Sequence, residues 1–296
     1  MPDLKTWLRG MVALIGLGAA GPALAVDLDA LDLVPAPAGT DAVLSYSTFT
    51  KRDRFVTRDG TDITAGTGLY SQVGILRYVH YMDLGGFRFA PQVLLPYGKL
   101  YNGSLGGAAL DDTSGIGDPI LAAPLWLIST PETNFAIVPY LFLPAGKYDP
   151  GADLNLGENR WKFDLQIGGT QALGKGFVVQ ASLDAMIYGD NKDALADGQG
   201  KLEQDNTYQF QSWLSYTPPS DPTWTVAAGY SKYWGGKQQL DGAETGIATK
   251  ADQIRLQAAK FVTPDFQVQF GLQKDIEVKG GFQEDARATL RLMKLF

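Results

Sequence analysis

The sequence predicts an all-β chain: a single antiparallel transmembrane β-barrel of about twelve strands. Three observations predict it. Hydrophobic residues make up 45% of the chain, yet no segment after residue 25 approaches the roughly 20 consecutive apolar residues of a transmembrane helix. Period-2 alternation of apolar and polar residues recurs along the chain. The connections between the alternating segments are by turns short and long, as the periplasmic turns and extracellular loops of outer-membrane barrels are.

Residues 1–25 carry the pattern of a secretory signal peptide. Lys5 and Arg9 supply a positive start, Met11 to Ala20 form a short apolar core, and Ala23-Leu24-Ala25 is an A-x-A cleavage site. A single membrane anchor is the alternative, but the core is too short for it. The expected mature chain is therefore one domain, 26–296, in which 26–40 is a periplasmic lead-in. Removing Lys5, Arg9 and Asp3 leaves 23 basic and 31 acidic residues, a net charge of −8. Such an acidic chain is a poor candidate for nucleic-acid binding. With no cysteine, disulfides and thiolate metal sites are excluded.

Twelve strand segments are expected, near 41–50, 69–82, 86–97, 117–128, 134–144, 159–171, 177–188, 206–216, 224–234, 252–261, 266–273 and 284–296. Alternation is strictest in 161–169, 177–187, 208–216 and 266–272. In 177–187, Phe177, Val179, Ala181, Leu183, Ala185 and Ile187 form one face, expected toward lipid, and Gln180, Ser182 and Asp184 the other. A soluble sandwich also alternates, but Gln, Gly, Ser and single charges at the polar positions suit a wet lumen. Short turns are expected at 83–85, 129–133, 172–176, 217–223 and 262–265, each holding Gly, Pro or Asp. Long loops are expected at 51–68, 98–116, 145–158, 189–205, 235–251 and 274–283.

Tyr188, Tyr208, Trp213, Tyr216, Trp224, Tyr230 and Trp234 fall where strands meet connections and read as interfacial girdles. At the C-terminus Ala286, Ala288, Leu290 and Leu292 lead at every second position to Phe296. That pattern resembles the assembly signal of bacterial outer-membrane proteins, with Lys294 a departure from the aromatic often found there.

The pore-lining candidates are Arg88, Gln92, Asp118, Arg160, Lys162, Asp164, Gln180, Asp184, Arg255, Arg287 and Arg291. Bases outnumber acids among them, so an electropositive lumen with weak anion preference is expected. Pairing of Arg160 or Lys162 with Asp184 is the alternative use of those charges. Loop 145–158 with Asn159-Arg160-Trp161 is the candidate gate. Barrel enzymes use a His base. His80, the one histidine, is expected beside a short turn, which reads as an interfacial position. Asp190, Asp193, Asp197, Glu203 and Asp205 lack the regular spacing of a calcium loop and read as a solvated loop. No cofactor, catalytic or metal site is implied.

Three stretches carry a family resemblance: Pro35-Ala36-Pro37-Ala38-Gly39-Thr40; Gly115-Ile116-Gly117-Asp118-Pro119; and Gly146-Lys147-Tyr148-Asp149-Pro150 followed by Leu154-Asn155-Leu156-Gly157-Glu158-Asn159-Arg160-Trp161. Together the chain resembles the outer-membrane family named for the meta-pathway of phenol degradation, with Leu33 where a Tyr is expected. The resemblance implies transport of aromatic or other hydrophobic compounds. The expectation is thus an outer-membrane channel for passive diffusion of small, hydrophobic or aromatic compounds. A general narrow small-solute porin, and further off a barrel enzyme or structural barrel, are the alternatives. Its expected partners are outer-membrane lipid and lipopolysaccharide, small solutes, and the barrel-assembly machinery through Phe296.

Overall fold

The computed structural model describes residues 27–296; the expected signal segment 1–25 lies outside the described residues. Twelve staves form one closed antiparallel wall: β1 (Asp41–Val56), β2 (Gly68–His80), β3 (Gln92–Leu105), β4 (Ile120–Ala122 and Leu125–Ser129), β5 (Thr133–Phe142), β6 (Lys162–Gly174), β7 (Phe177–Tyr188), β8 (Thr207–Tyr216), β9 (Trp224–Gly235), β10 (Lys250–Thr263), β11 (Phe266–Lys279) and β12 (Gly281–Leu295). The last stave pairs with the first from Ala42↔Leu295 to Val56↔Gly281, so the barrel has no free edge. No helix occurs among the described residues.

The pleat sends alternate side chains out of the barrel and into it. On β7, Phe177, Val179, Leu183 and Ile187 are exposed outside, while Gln180, Ser182, Asp184 and Met186 are buried inside. Rings sit at both outer margins: Tyr208 stacks on Trp234 at the long-loop end, and Phe177 packs against Tyr216 at the short-turn end. Trp213 and Tyr188 do not join them. Trp213 is buried in the lumen, where its indole N–H donates to Leu28 O at 2.9 Å. The Tyr188 hydroxyl donates to Thr207 Oγ1 at 2.9 Å, also on the inner face. Each occupies an inward step of its strand, which position along the chain did not reveal.

Several boundaries differ from expectation. Residues 86–91 do not belong to β3; Phe87–Phe89 pairs with Met82–Leu84 in a small hairpin. β4 is broken, because Pro124 has no N–H to give to a ladder. Residues 274–283 form no loop: β11 and β12 continue to a one-residue connection at Gly280. Its φ is +78°, and an added Cβ would lie 2.6 Å from Ala248 N and O, so glycine is required there. Pairing between these two staves ends at Gln273↔Arg287. Above it the Asp275 carboxylate substitutes for the ladder, accepting Glu284 N–H at 2.7 Å.

Candidate functional site: the lumen and the segment inside it

The inner wall has two faces. From β1 to β5 it is largely apolar, with Leu44, Val79, Leu94, Ile120, Val138 and Phe142 buried inward. From β6 to β11 it is polar, with Gln166, Gln180, Gln209, Gln211, Gln257 and Gln269 buried inward. The seam is sharp: Val138 on β5 and Gln166 on β6 are direct cross-strand partners.

Residues 27–34, expected outside the barrel as part of a periplasmic lead-in, pack within this lumen. The leucines Leu28 and Leu33 join the apolar side. The acids meet wall arginines: Asp27 with Arg287 at 2.9 Å and Arg255 at 3.9 Å, Asp29 with Arg291 at 2.9 Å, and Asp32 with Arg291 at 3.0 Å and Arg77 at 3.5 Å. The segment's backbone is held by side chains of the wall. Leu28 N–H donates to Gln211 at 2.9 Å, Ala30 N–H to Gln257 at 3.0 Å, and the Trp126 indole donates to Leu33 O at 2.8 Å. A buried arginine needs a carboxylate within reach, and the alternating Asp-Leu-Asp of 27–29 supplies acid toward one wall and leucine toward the other.

Among the described residues, two cavities of the lumen flank the segment. One, of 260 Å³, lies toward the loop end and is bordered by Asp27, Asp29, Phe142, Arg255, Arg287 and Thr289. The other, of 360 Å³, lies toward the turn end and is bordered by Ala30, Asp32, Pro35, Phe261 and Leu295. Arg77 and Gln257 border both.

The expected pore-lining residues fall into three groups. Gln180, Arg255, Arg287 and Arg291 all contact the inner segment; Gln180 donates to Asp29 O at 3.0 Å. Gln92 accepts from Arg77 at 2.6 Å, and Asp184 accepts from Gln166 at 3.2 Å beside buried Asp164 on the polar wall. The remaining four lie toward the ends. Arg88 sits on the small hairpin at the turn end, bonded to Ala36 O and to Asp83 at 2.9 Å. The expectation of an inward Arg88 rests on a strand at 86–97, whereas β3 begins at Gln92.

Asp118 lies in the break before β4 and staples the long loop, accepting Gly146 N–H and Glu158 N–H at 3.0 Å each. Arg160 and Lys162 are buried under the same loop. Both bind Glu158, at 2.6 Å and 2.5 Å, and not Asp184. Burial would raise the Glu158 carboxyl, but the charges of Lys162 and Arg160 outweigh it and hold it at about 2.

This explains the second and third sequence stretches physically. A Cβ on Gly146 would lie 2.7 Å from Asp118 N, and one on Gly157 2.8 Å from Gly146 C. The three segments interlock only if both residues are glycine. The loop they hold turns Leu154 inward, fully buried against Phe55, Leu69, Leu100, Leu105 and Phe282. That apolar cluster packs at the loop end of the barrel. Of the acids of 190–205, Asp190 and Glu203 pair with Lys201 at 3.0 Å and 2.6 Å, Asp193 accepts from Asn159, and Asp197 accepts Gln199 N–H at 3.0 Å. His80 bonds Asp41 at 2.8 Å at the turn end.

Sequence reading missed Arg77, the three aspartates of 27–32, and the two indole donors Trp126 and Trp213. Arg77 was within reach, since Leu76 and Tyr78 flank it as outward residues.

The crystal structure of an outer membrane channel from Pseudomonas putida F1 is 34% identical and covers 91% of this chain and 100% of its own, with a TM-score of 0.85. The CymD monoaromatic hydrocarbon channel is 12% identical over 95% of this chain and 97% of its own, with a TM-score of 0.50. The beta domain of the Bordetella autotransporter BrkA is 9% identical over 88% of this chain and 100% of its own, with a TM-score of 0.53. The last two likenesses show the fold alone. No curated protein matches the chain. Residues 52–292 match the family described as "Putative MetA-pathway of phenol degradation", and the chain belongs to that family.

Proposed function

We propose that this protein is an outer-membrane channel through which small solutes, hydrophobic and aromatic compounds among them, diffuse passively. The observation that carries the reading is the two-faced lumen, in which residues 27–34 lie between two cavities. That segment is anchored through wall side chains, so it can leave without unzipping a stave. Loop 145–158 is the second gate, at the opposite end. Both gates must move before a solute passes. The short turns face the periplasm, and the outward apolar band meets lipid and lipopolysaccharide. Phe296, exposed at the end of β12, is the handle for the assembly machinery. Cleavage after Ala25 would place the new N-terminus one residue before Asp27, at the lumen segment itself.

Reconstituted liposomes test the reading. Faster entry of phenol than of arabinose through the protein supports it. Equal entry of both points to a general narrow porin, a reading the glutamine-lined wall favours. Entry of neither rejects a channel.

A further inference from the structure

We propose that the 260 Å³ cavity on the loop side is a binding site for monoaromatic carboxylates, and that Asp27 is a tethered competitor for it; this inference rests on the channel reading above. One side of the cavity is apolar: Ile75, Leu94, Ile120 and Phe142, contributed by four successive staves, β2 to β5. The other side carries Arg287, which bonds the Asp27 carboxylate at 2.9 Å, and Arg255, which lies 3.9 Å from that carboxylate while donating to Gln211, Ser231 and Leu28 O. An apolar cavity of about 150 Å³ admits benzene, so 260 Å³ holds one ring with a charged substituent.

Ring and charge cannot be satisfied by the same wall. A neutral aromatic would fill the apolar side and leave Arg255 and Arg287 with Asp27 as they are. A small inorganic anion would meet the arginines and leave the apolar side wet. An aromatic carboxylate does both at once, if its carboxylate takes the place of the Asp27 carboxylate on the two guanidinium groups. That exchange conserves charge in the lumen, which matters because an unpaired buried arginine is costly. Guanidinium groups suit a planar carboxylate, which two N–H donors can grip at once. Asp27 also accepts from Tyr233 and from Gln209 at 3.1 Å, but it has no ladder pairing, so it yields its place by giving up side-chain bonds alone. The same step that binds the ligand therefore loosens one anchor of the segment that blocks the lumen.

The test uses the full mature chain in detergent and benzoate as probe, with benzamide as the neutral isostere and acetate as the anion without a ring, all measured by titration calorimetry. Benzoate is expected to bind at least about tenfold more tightly than either. Arg255→Gln should abolish that preference, and Asp27→Asn should tighten benzoate several-fold while leaving benzamide unchanged. The Asp27 variant guards against misfolding of the arginine variant, because a merely structural aspartate would weaken binding when neutralised. Equal affinity for benzoate and benzamide, or weaker benzoate binding by Asp27→Asn, overturns the site. Phenol entry into liposomes without benzoate binding would overturn the site and leave the channel standing. Benzoate binding without entry of any solute would reject the channel and leave the site.

Discussion

The two halves of the barrel solve the same geometric problem with different chemistry. Staves β6 to β11 are apolar outside and polar inside, whereas β2 to β5 are apolar outside and largely apolar inside as well. Leu183 and Asp184 show the first arrangement side by side on β7. Leu141 and Phe142 show the second on β5, one exposed outward and the other buried inward. The difference teaches that the pleat dictates only which way a side chain points, and that the lumen's chemistry is then free to vary around the circumference. The segment 27–34 is matched to this asymmetry, with leucines on one side and carboxylates on the other.

The largest expected effect contrasts the two faces of one stave. Leu183→Arg should cost about 2–4 kcal/mol of barrel stability, since it puts a charge among lipid near mid-membrane. Asp184→Asn on the inner face should cost under about 1 kcal/mol, because the amide still accepts from Gln166. Urea unfolding in lipid vesicles compares the two, and equal losses would break the inside–outside assignment.

The seam comes next. Val138→Asn buries an amide on the apolar wall and should cost about 2 kcal/mol. Gln166→Asn, across the seam, should cost less because the polar wall offers partners. The same unfolding assay ranks the pair, and the reverse order would contradict a two-faced lumen.

Ion pairs and apolar packing also respond differently to salt. Asp27→Asn with Asp29→Asn should raise the open fraction of single channels about tenfold, a change of roughly 1.4 kcal/mol. High salt should partly mimic that change in the unaltered protein. Leu154→Ala should loosen the loop end with no such salt dependence. Single-channel recordings across a salt series read both.

The smallest effect concerns pH at the loop. The folded-state pKa of Glu158 is depressed from 4.5 to about 2. Its pairing therefore stabilises the loop fully above about pH 4.5 and fades as pH falls toward 2. Cleavage within 145–158 by an acid-active protease should be steady from pH 6 to 5 and rise below 4.5. A Glu158→Gln variant should show no such rise.

How far the sequence could be read follows the same division. Alternation was legible in 161–169, 177–187, 208–216 and 266–272, all on the polar side, because only there do the two faces differ in chemistry. Stretches such as Ile120-Leu121-Ala122 and Tyr140-Leu141-Phe142 show no alternation, since both faces are apolar. Such stretches carry no phase of their own to fix a strand boundary. Inward charges on regular strands, Arg255, Arg287 and Arg291, were legible from phase alone. Their partners were not, because Asp27, Asp29 and Asp32 precede the first strand, and nothing local says that a polar lead-in turns back into the barrel. The electropositive lumen was expected without counting these acids. The unexplained excess of inward arginine was the available signal.

The most direct test of the central account, a two-faced lumen blocked by a charge-held segment, is the conductance and reversal potential of the mature chain with residues 27–34 replaced by a Gly-Ser linker. Loss of the three aspartates leaves Arg77, Arg255 and Arg291 on the wall without the acids they now face. The account predicts a several-fold larger conductance and a reversal potential shifted toward anion selectivity. A conductance equal to that of the unaltered protein, or a shift toward cations, would contradict it.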